Sequence, residues 1–218
     1  MLSMKRVGIY THNFKFYHEV VNVLKSWHIK SVSIDNIDHM PSDVSIILSS
    51  NKDEKIRVSQ IRTDSASEAV RWAIPFLLGK DRFESLIIGI DPGPKPGIAV
   101  IGDDILLEAF EAPSIDSLIR SIATISRGYR YSSRTVRIGD GDAPNRDSII
   151  GKLKAIGIVP EIVDETNTSQ PHKIHDNAVS AARIAGGVTS FPNPKIQNYR
   201  RRDILDLEFT TLQKAITA

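Results

Sequence analysis

Cysteine is absent from the chain. Disulfides, thiolate metal sites and cysteine nucleophiles are excluded with it, and the absence fits a reducing interior. Long apolar runs are missing too: none approaches the roughly 18 uncharged apolar residues of a membrane span. Met1-Leu2-Ser3-Met4-Lys5-Arg6-Val7 has no apolar stretch ahead of a small-residue cleavage site, so the expectation is a cytoplasmic protein with neither a secretory leader nor a membrane partner. There is no surplus of one charge. Lys and Arg number 28 against 26 Asp and Glu, a net +2, whereas a protein that coats nucleic acid by charge alone is usually far more basic. Any polyanion would have to meet a local patch. What is present, 218 residues of which 41% are apolar, suffices for one large domain or two small ones.

Hydrophobic spacing divides the chain. Residues 1–82 read as a small parallel α/β domain of half-Rossmann or receiver-like type. Arg6–Tyr10 is strand-like, and Tyr17, Val20, Val21, Leu24 and Trp27 recur at helical spacing. Short strands are expected at Lys30–Asp35, Val44–Leu48 and around Ile56–Ile61. A helix capped by Ser65 or Ser67 and bent by Pro75 follows. His12 and Asn13 end the first strand and are minor candidates for a pocket. Residues 83–190 read as βββαβαβα, with Asp103-Asp104 turning the second strand into the third. Residues 191–218 are a basic tail and a weakly helical C-terminal segment.

The most informative stretch is Leu86-Ile87-Ile88-Gly89-Ile90-Asp91-Pro92-Gly93-Pro94-Lys95-Pro96-Gly97-Ile98-Ala99-Val100-Ile101. A continuous apolar run predicts a strand buried on both faces, and Asp91 then closes it at the rim of the core. A carboxylate there needs a cation or donors. Asp140, with Asp142 two residues on, closes another strand; Asp164-Glu165 closes a third; Asp176 opens a helix. Adjacent strand ends lie about 4.8 Å apart, close enough for carboxylates to share one hard divalent ion. Two such ions can activate water and stabilise a leaving oxygen in phosphodiester hydrolysis. The same acids have ordinary structural uses. Asp91-Pro92-Gly93 is a turn sequence, Asp142 is placed to cap a helix, and Asp176 suits a helix N-terminus. Ala178, Ala181, Ala182 and Ala185 fit close helix-on-sheet packing.

These residues resemble a family. Ile88-Gly89-Ile90-Asp91-Pro92-Gly93 followed by Gly97-Ile98-Ala99 resembles the opening signature of the RNase H-like superfamily, nearest to RuvC-type Holliday junction resolvases and YqgF-type resolvase-like proteins. Val163-Asp164-Glu165-Thr166-Asn167-Thr168-Ser169 resembles a YqgF-type segment, with Thr166 where that family carries arginine. His175-Asp176-Asn177-Ala178-Val179-Ser180-Ala181-Ala182 is similar to its last helix. The resemblance covers about residues 84–190. It implies an RNase H-like mixed sheet preceded by the small α/β domain, and a Mg2+- or Mn2+-dependent nuclease acting on branched or structured DNA or RNA. It further implies Asp91, Asp140 and Asp176 as catalytic ligands, with Asp142, Asp164 and Glu165 at the metal site and His172 as proton shuttle. Asp140 against Asp142, and Asp176 against Asn177, stay open as alternatives. Lys95, Arg146, Arg200, Arg201 and Arg202 are the expected nucleic-acid contacts. Two other readings are a non-catalytic nucleic-acid-binding protein with a degenerate site and an actin-like ATP-binding phosphotransferase. The oligomeric state, homodimer included, is left open.

Overall fold

The structure, a computed structural model, describes residues 5–164, 176–187 and 200–218. The chain divides into two compact units. One is Met1–Phe83 with Arg127–Arg130 and Gln213–Ala218; the other is Glu84–Ser126 with Tyr131–Leu212. The protein is α/β, with a parallel four-stranded sheet and a mixed six-stranded sheet.

In the first unit, β1 (Arg6–Ile9), β2 (Ser31–Ser33), β3 (Val44–Ser49) and β4 (Gln60–Arg62) lie in the order β2-β1-β3-β4, each pair parallel. Val7, Ile9, Ile46, Ile47 and Leu48 are buried, as strands covered on both faces require. Helix α1 (Phe14–Ser26) starts where the Asn13 side chain accepts the Phe16 N–H, and buries Phe16, Val20 and Leu24 at four-residue spacing. It closes in a Schellman arrangement, Ile29 N–H to the Leu24 carbonyl and His28 N–H to the Lys25 carbonyl. His28, at φ 54°, holds the left-handed position that glycine usually takes. Helix α2 (Ala66–Leu77) is capped by Ser65 and buries Ala69, Val70, Ala73 and Ile74. The strand expected around Ile56–Ile61 forms only at Gln60–Arg62. Upstream of it the Gln60 side-chain amide accepts the Ile56 N–H and donates to the Glu54 carbonyl, so a side chain holds a loop where a ladder was expected.

In the second unit, β5 (Phe83–Asp91), β6 (Gly97–Gly102) and β7 (Ile105–Glu111) make an antiparallel meander. With β8 (Tyr131–Gly139), β9 (Glu161–Val163) and β10 (Thr210–Thr211) the order is β10-β7-β6-β5-β8-β9. β9 joins β8, and β10 joins β7, in parallel. Asp103 and Asp104 have φ of 46° and 69°, the positive pair of a two-residue type I′ hairpin. The helices are α3 (Ile115–Gly128), α4 (Ala143–Ala155), α5 (Asn177–Gly186) and α6 (Arg201–Glu208); α7 (Leu212–Thr217) belongs, from Gln213 on, to the first unit. The expected C-terminal helix is thus interrupted by β10. Among the described residues no helix is long and apolar enough to cross a membrane.

Helix α5 lies directly on the mixed sheet. A Cβ built on Gly97 would stand 1.8 Å from the Asn177 carbonyl oxygen, and one on Gly89 would stand 2.2 Å from that of Ala181. Backbone atoms cannot yield as a flexible side-chain end can, so both strand positions require glycine. On the helix side Ala178, Ala181, Ala182 and Ala185 are wholly buried. Gly89→Ala and Gly97→Ala should each cost about 3 kcal/mol or more in urea denaturation. Gly151, exposed within α4 with open space around it, is the opposite case. Gly151→Ala should stabilise by about 0.5–1 kcal/mol.

Candidate functional site

In a parallel sheet ordered β2-β1-β3-β4, the chain leaves β1 to one side and returns to the other at β3. The carboxyl ends of β1 and β3 therefore flank the topological switch point, where open α/β sheets place their sites. Two short polar segments meet there: Tyr10-Thr11-His12-Asn13 after β1, and Ser50-Asn51-Lys52-Asp53 after β3.

Asp53 joins them. The residue is 5% exposed. One oxygen accepts the Thr11 hydroxyl at 2.5 Å and the Ser50 N–H at 2.7 Å; the other accepts the His12 N–H at 2.8 Å. Burial pushes this carboxyl up. The hydrogen bonds from Thr11, His12 and Ser50 together outweigh burial and hold it below the usual carboxylate range. The Thr11 hydroxyl also accepts the Asn13 N–H at 3.1 Å, which ties the link to the cap of α1.

The net continues outward. Tyr10 donates its hydroxyl to Glu54 at 3.0 Å, and that bond, with burial and the nearby Glu54 and Asp53 charges, raises the phenol's pKa. The Asn51 N–H and side-chain amide donate to Asp64, and Arg62 donates to the Asn51 carbonyl. His12 and Phe14 stand exposed at the edge, Tyr10 edge-on to His12 and Phe14 edge-on to His18. Asp53, Thr11 and Ser50 were not singled out by sequence. Their signal was a polar burst after the buried run Val44–Leu48, the same pattern that drew attention to Asp91.

In the second unit, Asp91 ends β5, and Asp140 follows β8 with its N–H on the Val163 carbonyl. Asp142 caps α4, accepting the Asn145 N–H and side-chain amide. Asp164 follows β9, while Glu165 and His172 lie outside the described residues. Asp176 caps α5 through one oxygen, which accepts the Ala178 and Val179 N–H groups, and its other oxygen accepts Arg201 Nε at 2.5 Å. Asn177 turns to the Lys95 carbonyl at 2.6 Å. Arg146 donates to the Asp140 carbonyl and to Asp147. Arg202 is 3.7 Å from Asp206, and the Arg200 N–H donates to Asp203. The guanidinium groups of Arg201 and Arg202 thus face different acids, Asp176 and Asp206. Among the described residues no group of three or more His, Asp or Glu is placed to hold a metal ion.

A family model of a response regulator receiver-like domain matches residues 6–77, about a third of the chain. None of the curated proteins matches. This finding corrects the identification with RuvC/YqgF-type RNase H-like proteins. It also overturns the nuclease and resolvase function drawn from that identification, and lends no support to the nucleic-acid-binding and actin-like alternatives. The physical reason is that short motifs are degenerate. An aspartate before an alanine-rich helix is also what an N-cap and a close-packed helix look like, and Asp176 with Ala178–Ala185 fills both roles.

Asp53 has a lower pKa folded than unfolded, so the unfolded state binds more protons and stability rises with pH through that window. Its contribution is full above its ordinary value of 3.8 and is lost as pH falls through the lower folded value. Asp53→Asn leaves donors facing an amide and should cost about 3 kcal/mol at neutral pH. The gap between wild type and variant should close as pH drops below about 4 in denaturation curves.

Proposed function

We propose that residues 6–77 are a receiver-like signalling module that works by contact through its crest and does not accept a phosphoryl group. The observation that carries this reading is the state of Asp53. A carboxylate that takes a phosphoryl group attacks with an accessible oxygen, and metal-assisted transfer needs further oxygen lone pairs. Both Asp53 oxygens are engaged by Thr11, His12 and Ser50 behind a nearly closed surface. The receiver-like family match and the parallel order β2-β1-β3-β4 support the signalling class. Tyr10, His12 and Phe14, rigidly mounted between a buried strand and a capped helix, are the groups this crest offers a partner. A cytoplasmic setting, favoured by the lack of cysteine, belongs to the same proposal. For the second unit, the order β7-β6-β5-β8-β9 supports an RNase H-like sheet as architecture alone, with no activity attached.

The test incubates the whole chain with acetyl phosphate and Mg2+ and reads intact mass. No phosphoryl adduct is expected. A photo-crosslinking residue at position 14, expressed in the native host, should trap a protein that the same probe at exposed Val159 does not. A phosphoryl group mapped to Asp53, or equal capture from both positions, would overturn the reading.

A further inference from the structure

The segment from Arg201 to Thr211 reaches the rest of its unit through one face. Arg201, Ile204, Leu205 and Glu208 fall at i, i+3, i+4 and i+7, the spacing of a helix seated in a groove. Each anchor meets a matching part of a surface made by α5 and the β6–β7 pair. At one end Arg201 Nε is on Asp176, with Glu111 4.0 Å from the same guanidinium. In the middle Ile204 and Leu205 are buried in a cluster with Ala99, Ile101, Leu106, Val179 and Ala182. At the far end Glu208 receives a two-pronged bond from Arg183, at 2.6 and 3.1 Å. Beyond the helix, Thr210 and Thr211 add a two-residue parallel strand beside Ile105 and Leu106.

The groove is thus acidic, then apolar, then basic, and α6 presents the complementary series in the same order. We infer that this surface is a helix-docking groove that α6 fills in cis and that the α6 of a second copy of this chain can fill instead, giving a reciprocally exchanged dimer. Charge order and anchor spacing select that occupant, because α6 itself satisfies them. The attachment is small. It comprises two buried aliphatic side chains with Phe209 packed against the same cluster, ion pairs at half-exposed to nearly buried side chains, and a two-residue ladder, so it can open while the central strands stay closed. Inside one chain the effective concentration of α6 is high, so exchange shows at high protein concentration.

The charge order permits a decisive experiment. In Arg183→Glu the groove repels its own Glu208; in Glu208→Arg the native groove repels its own helix. Neither variant should dimerise alone. Mixed in equal amounts, each groove finds the matching helix of the other copy, and light scattering after chromatography should show a 1:1 heterodimer. A mixture that stays monomeric, or variants that dimerise equally well alone, would overturn the inference. Hydrogen exchange on the wild type guards against misfolded variants. Amides of α6 and β10 should exchange at least about tenfold faster than those of β5 and β6, through an opening smaller than global unfolding. Exchange of α6 only together with the central strands would equally refute it.

Discussion

Two missing side chains, at Gly89 and Gly97, set the geometry of the larger unit. Without Cβ atoms there, the backbone of α5 can lie against the middle of the mixed sheet. The alanines of α5 follow from that proximity, since only small side chains fit beneath a helix held so near. The position of α5 in turn decides where Asp176 and Arg183 emerge, and those two residues hold α6 from its ends. A close approach at the sheet thus fixes the charge pattern along the groove that α5 forms with β6 and β7.

The smaller unit is organised by a carboxylate. Asp53 sits 42 residues from Thr11 in sequence, yet it closes the crest by taking the Thr11 hydroxyl, the His12 amide and the Ser50 amide together. Such a charge is stable in a nearly closed place because each oxygen is met by donors. On the proposed reading, the hydrogen bonds that hold the two loops together also keep Asp53 from acting as a phosphoryl acceptor, and contact falls to the exposed rim around His12 and Phe14.

Regular elements were legible where local chemistry is strong. The stripe Val20 and Leu24, the cap at Ser65 (read as Ser65 or Ser67) and the Asp103-Asp104 hairpin are all local, and each is where periodicity and turn chemistry place it, whereas the Asn13 cap was not read from the sequence. The weak strand near Ile56 was misjudged because a glutamine side chain replaced a ladder, a contest that propensity does not register. At the level of sites, the acids at strand ends could be recognised, but their partners could not. Nothing near Asp176 in sequence announces Arg201, and nothing near Asp53 announces Thr11. The resemblance to nucleases drew on motifs short enough to be shared with caps and packing, and sheet order, which creates the crest, is not written in any local pattern.

The parallel pairing of β10 with β7 has a consequence for biosynthesis. As the chain leaves the ribosome, β7 is complete with Glu111, but Thr210 and Thr211, which pair with Ile105 and Leu106 at the start of its outer edge, are made about a hundred residues later. Until those two residues are made, that part of the edge presents unpaired backbone groups to its surroundings. Neighbouring nascent chains on one messenger would be in the same condition at the same moment, so the interval between the two strands is the period in which edge-to-edge misassembly threatens this protein most.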